Sequence, residues 1–414
     1  MQTFSIVFIA ALALATATRV WLALRHLDHV RRHRDAVPAE FARDISLDTH
    51  RHAADYSCAK TQLSLISSLF ECALLLALTF GGALQWLADL TAGWFDPGVM
   101  RGVALLVLLG TLSSILDLPF AWYRTFTIEQ RFGFNKMTPR MFVVDTLKNA
   151  AIAAALGIPL AACILWVMER AGGLWWFYAW LIWVGFNLLI LTVYPVWIAP
   201  LFNKFVPLDD AQLKERIERL LERCGFKAQG LMVMDGSRRS SHGNAYFTGF
   251  GKSKRIVFFD TLLTRLLPSE VEAVLAHELG HFKLKHVIKR IAWIFIASLG
   301  FLWLLAQLMS QPWFYQGLNV QTQSTAMALV LFFIVMPQFI FLLHPVTSFY
   351  SRKHEFEADR YAAQHASAGD LVSALVKLYK DNAATLTPDP LHSMFYDSHP
   401  PATLRIARLQ AARA

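Results

Sequence analysis

The chain has 414 residues, of which 55% are hydrophobic and 17% charged, with a mean hydropathy of +0.40 and a formal net charge of +9. A soluble domain of this length carries more charge, so the composition points to several membrane spans. The positive balance comes with no nucleic-acid motif, so nucleic acid is not an expected partner; lysine and arginine gathered in cytoplasmic loops account for it.

The N-terminal stretch MQTFSIVFIAALALATATRVWLAL has small residues near Ala15 and Ala17, as a cleavable signal does. It lacks a positive n-region, and apolar sequence resumes after Arg19, so it reads as a retained span. A helix needs about 20 mostly apolar residues to cross the hydrocarbon layer. Seven stretches qualify, at roughly 4–24, 62–88, 102–123, 149–169, 173–198, 287–309 and 325–349. Residues 25–60 carry Arg25, Arg31, Arg32, Arg34, Arg43, Arg51 and Lys60, and the third connection carries Arg124, Arg131, Lys136, Arg140 and Lys148. The alternate connections are nearly bare: 89–101 offers only Arg101, the turn near 170–172 only Arg170, and 309–325 no charge. The positive-inside rule then gives one topology. The N-terminus is outside; the loops at 25–61, 124–148 and 199–286 and the tail after 350 are cytoplasmic.

Arg19, Glu71, Asp117 and His344 fall inside spans. Such groups are costly in lipid and usually face protein or a wet cavity, so a hydrated space within the bundle is expected. The four cysteines, Cys58, Cys72, Cys163 and Cys224, are widely separated and suggest neither a disulfide framework nor a thiolate metal site. Residues 199–286 form the largest polar insert. PLDDAQLKERIERLLERCGF reads as an amphipathic helix with Leu213, Ile217, Leu220 and Leu221 on one face and Asp209 or Asp210 as cap. LMVMDGS, NAYFTGF and RIVFFD read as short strands. PSEVEAVLAHELGH follows as a helix, with Ser269 as N-cap and Glu272 at capping-box spacing. These features divide the chain into 1–198, a five-span membrane part; 199–286, the cytoplasmic insert; 287–350, a two-span hairpin; and 351–414, a cytoplasmic C-terminal segment.

His277 and His281 are four apart, so on a helix both imidazoles project from one face and can bind a single tetrahedral metal. Glu278, beside the first, points toward a water in the open position. A chain of this composition produces H-E-x-x-H by chance in about one case in 70, so a third ligand has to decide. After the last span, SRKHEFEADRYAAQHA sets Glu355 and Asp359 four apart on a presumptive helix, with Arg352 one turn earlier. The sixth and seventh spans form an up-and-down hairpin, so both of its ends return to one side of the membrane. Glu355 can then complete a His-His-Glu set around one Zn2+. His354 competes as ligand but points about 100° away; Asp359 on the face of Glu355 favours the glutamate.

HELGH, then EFEAD after two spans, with GSRRSSHGNAYFTGF upstream, SHPP downstream and TIEQRFGFNKMT at 127–138, resembles the integral-membrane CAAX prenyl protease 1 family of zinc metallopeptidases. The HtpX-like membrane proteases share the metal motifs but are shorter. The resemblance implies an all-α polytopic fold, with seven transmembrane helices enclosing a water-filled chamber and a small α/β zinc-metallopeptidase domain on the cytoplasmic side. It implies His277, His281 and Glu355 as metal ligands, Glu278 as catalytic base and Asp359 as support for a ligand histidine. It further implies Asn244 as a holder of substrate backbone, ahead of a strand that pairs with the peptide, and His399 as a group near the scissile carbonyl. Family members remove the last three residues of prenylated C-a-a-X tails; membrane-protein quality control is the alternative role. Peptide or protein substrates, a surrounding bilayer and a monomeric state are expected, in a bacterial inner or plasma membrane or a eukaryotic endoplasmic reticulum membrane. Two rivals remain: a site-2-type intramembrane protease, which would bury the motif in an apolar span, and a seven-span transporter or receptor, which would bind no zinc.

Overall fold

The computed structural model describes residues 2–249 and 255–411. Among these, seven helices are long and apolar enough to cross a membrane. The first two are α1 (Thr3–Arg32) and α2 (Leu47–Leu78). The Ser46 hydroxyl caps α2 by accepting the Thr49 N–H at 3.2 Å, so the latter part of the basic connection is itself helical. The expected second span, 62–88, divides: α2 stops at Leu78, and a separate α3 (Ala83–Ala92) follows. Gly82 sits at φ 76°, and a Cβ on Gly81 would lie 2.6 Å from the Ala77 carbonyl oxygen, so this turn needs both glycines. Unbroken hydropathy concealed it.

The next spans are α4 (Val99–Tyr123), α5 (Pro139–Arg170) and α6 (Trp175–Val193); α4 runs on as a π-helical turn to Glu129, and α6 reaches Leu201 through π and 3-10 turns. The polar insert begins with a strand that periodicity did not reveal, β1 (Phe205–Pro207), and continues with α7 (Ala211–Arg223), β2 (Gly230–Met234), β3 (Ala245–Thr248), β4 (Arg255–Phe259), α8 (Asp260–Leu263) and α9 (Pro268–Lys283). Phe250, at the end of the expected NAYFTGF strand, lies outside the described residues. The sixth span is α10 (His286–Leu308), followed by a short α11 (Pro312–Gln316). The seventh, α12 (Thr325–Ile340), passes through a 3-10 turn at Phe341–Leu343 into α13 (His344–His365). Pro337 within α12 has no N–H for the carbonyl one turn back, which loosens the ladder just before that turn. The chain closes with α14 (Ala368–Asp381), α15 (Pro390–Tyr396) and α16 (Ala402–Ala411).

The spans form a ring: α1 packs on α2 and α12, α2 on the π-helical turn after α4, α4 on α5, α5 on α6, α6 on α10 and α10 on α12, with α12 also touching α4 and α5. One apolar core, with Phe8, Leu84, Leu165, Phe314, Tyr315 and Phe332 nearly inaccessible, plugs the end of the ring farthest from α9. None of the most apolar window of Gly172–Leu201 is buried, and only 11% of that of Val99–Glu129, so no continuous core fills the ring along its length. Glu71 and Asp117 remain exposed within their spans. A carboxylate at that depth is expensive in lipid, which fits a hydrated interior chamber.

A second core joins the insert to the C-terminal segment: Ile217, Leu220, Ile256, Phe258, Leu275 and Leu279 pack with Ala362, Leu371, Ala374 and Leu409. The sheet order is β1-β2-β4-β3, with β2 and β4 parallel and the outer pairs antiparallel, so β3 is an edge strand. Asp210 is the cap of α7, its carboxylate accepting the Leu213 N–H at 2.9 Å. The expected Ser269 cap of α9 does not form. Leu267 is the N-cap, Pro268 takes the first helical position, and Glu270 reaches back to accept the Leu267 N–H at 2.7 Å. Glu272 instead pairs with Arg216 and Arg223 of α7. The 127–138 segment acts as a clasp. Asn135 bridges Ser240, the Ser241 N–H donates to the Phe134 carbonyl at 3.1 Å, and the Phe134 ring stacks on His242 at 4.3 Å. The stretch leading into Asn244 is thereby fixed to the membrane part.

Candidate metal centre

The helix α9 carries the histidine pair because its apolar positions, Val271, Leu275, Ala276 and Leu279, bury against α7, the sheet and the C-terminal helices. It meets α13 more extensively than any other pair of helices meets. The crossing is tight at Gly280, where a Cβ would stand 3.0 Å from Ala358 Cα and 3.1 Å from Tyr361 Cβ. A larger residue there would push apart the two helices that carry the candidate ligands. Gly280→Val is therefore expected to lower metal occupancy of the purified protein sharply, as measured by elemental analysis.

The crossing brings three side chains together. His277 Nε2 and His281 Nε2 are 3.2 Å apart, His281 Nε2 is 3.2 Å from Glu355 Oε1, and His277 Nε2 is 3.5 Å from Glu355 Oε2. Ligand bonds near 2.0–2.1 Å put tetrahedral ligand atoms about 3.3 Å apart, so these separations match the edges of such a site. The donors fit the group as well. His277 gives its Nδ1–H to Asp359 Oδ1 at 2.8 Å, which leaves the neutral ring a lone pair at Nε2. Glu355 Oε2 is buried with no hydrogen-bond partner among the described residues. Lone pairs converging in this way suit a bound cation. Without one, a proton must serve: burial works against it, but hydrogen bonds to Asp359 and Glu355 prevail and raise the His277 pKa to about 9.

Glu278 faces a cleft of about 250 Å3 that also touches Asn244, His277, His399 and Arg405. Its carboxylate has no hydrogen bond or ion pair among the described residues, and so is free to receive a proton. His399 stands at the mouth, 62% exposed at the side chain, with Nε2 3.5 Å from Glu355 Oε1. Asn244 opens the edge strand; its backbone carbonyl accepts the Phe259 N–H at 3.0 Å, and its side chain reaches the Ala245 N–H at 2.8 Å. Leu262, Leu371, Leu375 and Leu378 make the far wall apolar. His354, the competing ligand, turns away and stacks on His286 with ring centroids 3.9 Å apart. Arg352 donates to the Ser393 carbonyl at 2.9 Å and so braces the segment that carries His399.

Sequence reasoning missed Arg405. This arginine is 5% exposed and grips Asp359 with both arms, Nε to Oδ2 at 2.9 Å and Nη2 to Oδ1 at 2.6 Å, while Nη1 lies 3.7 Å from Glu355 Oε2. Burial disfavours its charge, but Asp359 and Glu355 keep it protonated and raise its pKa. A signal was present: Ala402, Arg405, Ile406 and Leu409 form the buried stripe of α16, and a cation on an apolar stripe needs a buried partner.

Comparison with known proteins agrees across the whole chain. Residues 26–204 match the family described as CAAX prenyl protease N-terminal, five membrane helices, and residues 207–413 match peptidase family M48. The CAAX prenyl protease 1 homolog of Arabidopsis thaliana is 36% identical, with 87% of this chain and 87% of the relative covered. The CAAX prenyl protease 1 homolog of Homo sapiens is 34% identical, covering 91% and 89%. The crystal structure of S. mikatae Ste24p superposes with a TM-score of 0.92 at 29% identity, covering 99% of each chain. The transporter or receptor reading is thereby set aside. A ring of seven spans, a cation-shaped triangle of ligand atoms where α9 crosses α13, and relatives matched nearly end to end lead to one conclusion: this chain belongs to the CAAX prenyl protease 1 family of M48 membrane metalloendopeptidases.

Proposed function

We propose that this chain is a zinc endopeptidase with one Zn2+ held by His277, His281 and Glu355, acting on C-a-a-X-type C-terminal tails delivered from the membrane. The observation that carries the reading is the convergence of His277 Nε2, His281 Nε2 and the Glu355 carboxylate at 3.2–3.5 Å, with Glu355 Oε2 lacking a hydrogen bond among the described residues. When bound, the metal supplies Lewis acidity, which acidifies water and polarises a carbonyl. The protein does the rest. Asn244 and the open edge of β3 hold the peptide backbone in an extended form, as sheet edges do. Glu278 takes the proton of the attacking water and delivers it to the leaving amine. His399, facing the cleft mouth, donates to the oxygen that gains charge in the transition state, an effect of about 2.7–4 kcal/mol for one donor. Asp359 fixes the His277 ring, and Arg405 fixes Asp359.

The basic loops support a cytoplasmic site with the N-terminus outside. All proposed site groups come from one chain, so the site needs no second copy to be complete. The relatives are named CAAX prenyl proteases, which favours a lipidated tail as substrate. In the test, a farnesylated C-a-a-X peptide and its unprenylated twin are incubated with purified protein, and products are read by mass spectrometry. The farnesylated peptide is expected to lose its last three residues and the twin to react more slowly. Equal cleavage of both would point to general turnover of membrane proteins instead. Glu355→Ala is expected to abolish cleavage and to reduce bound zinc from near one equivalent to a small fraction. Full metal content in that variant would contradict the ligand assignment.

A further inference from the structure

His281 has a partner that the active-site reading does not use. Lys285, in the left-handed conformation at φ 58°, turns the chain from α9 into α10 and sets His286 against the back of His281. Their Nδ1 atoms are 3.2 Å apart. The other nitrogen of His286, Nε2, is 2.9 Å from Glu357 Oε2 of α13. His286 is 3% exposed, and its face is covered by the parallel ring of His354, tilted by only 8°. Tyr350 closes the far side of His354 at 4.2 Å.

The hydrogen positions follow from one condition. A ligand His281 that offers Nε2 to a cation carries its proton on Nδ1 and donates it to His286 Nδ1. His286 must then accept there and carry its own proton on Nε2, which donates to the Glu357 carboxylate. Every polar atom in the line is satisfied in this one arrangement. We propose that His286 and Glu357 are positioning residues for His281: a carboxylate–histidine pair that fixes the tautomer and ring orientation of the second ligand, as Asp359 does for the first. The inference rests on His281 being a ligand, as proposed above. It also gives His354 a place, as the stacked wall that stops the His286 ring from turning.

The same three side chains hold ligand-type atoms within 4.8 Å of one another, so a second cation is the competing reading. Two features oppose it. Imidazole lone pairs lie in the ring plane, and parallel rings with centroids 3.9 Å apart do not direct them to a common point. The Nε2 to Oε2 separation of 2.9 Å is that of a hydrogen bond, shorter than the edge of about 3.3 Å between two ligands of one ion.

The test measures zinc affinity of the detergent-purified full chain by competition with a chelating indicator. It compares His281→Ala, His286→Phe, Glu357→Ala and the double variant, with thermal melting of the metal-free forms alongside. His286→Phe keeps a flat ring against His354 but cannot accept the proton. His286→Phe and Glu357→Ala are each expected to weaken zinc binding 10–100-fold, with metal-free melting close to the native value, and His281→Ala to weaken it further. The double variant should be no weaker than His286→Phe alone, because the two residues act in series. Native affinity in both single variants, or additive losses, would overturn the inference; so would two zinc equivalents in the native protein falling to one. Should His286→Phe not fold, Glu357→Ala decides alone, since its partly exposed side chain can be removed without a cavity. His281→Ala separates the layers: if it binds zinc normally, the ligand assignment itself is wrong, whereas if only it loses zinc, the positioning role alone fails.

Discussion

Glu278→Gln is expected to hold zinc as tightly as the native chain while cleaving peptides about 10²–10⁴ times more slowly, the usual contribution of a positioned general base. Glutamine preserves size and polarity, and Glu278 has no ion pair among the described residues whose loss could disturb α9. What disappears is the basic oxygen facing the cleft beside His277, Asn244 and His399. The measurement is turnover of the farnesylated peptide together with zinc content on the same preparation. Normal cleavage would remove Glu278 from the mechanism, and lost zinc would make its role structural.

Arg405→Met should be the most damaging change among the residues that do not themselves face the metal. The methionine fills much of the volume but leaves Asp359 and Glu355, 4% and 5% exposed, without their buried cation. Removing one partner of a buried charge network costs about 3–5 kcal/mol, because the remaining charge cannot return to water. Asp359 would then gain a proton more readily and lose its hold on His277 Nδ1. The expected result is a clearly lower melting temperature, weakened zinc binding and little activity. Arg405→Lys should retain more stability than the methionine variant yet still lose activity, because a single ammonium cannot occupy both Asp359 oxygens as the guanidinium fork does. A methionine variant with native melting and activity would show that Asp359 is held by other means.

Much of the architecture was legible because it is written in local period and length. A helix in lipid must satisfy its own backbone over about 20 residues, so the spans announce themselves. His277 and His281 share a face because the helix repeats every 3.6 residues, and this needs nothing beyond five consecutive residues. Departures arose where hydropathy carries no signal. Gly81 and Gly82 split the expected second span because of backbone conformation, which an apolar average does not register. Glu270 displaced Ser269 in capping α9 because Pro268 already occupied the first helical turn. β1, three residues long, exists only through its antiparallel pairing with β2.

By itself, then, the sequence determined the number of candidate membrane spans, the basic connections between them, the helix that carries the histidine pair and the acidic pair of α13. Each depends on side chains one or two turns apart, or on a run long enough to cross lipid. Only the tertiary structure decided that α13 packs against Gly280 so closely that a Cβ there would stand 3.0 Å from Ala358 Cα, that Arg405 from the last helix clamps Asp359, and that His286 and Glu357 stand behind His281. These contacts join residues distant in the chain across helix crossings. Their energies come from burial and charge pairing that do not exist until the helices meet, so no local pattern can encode them.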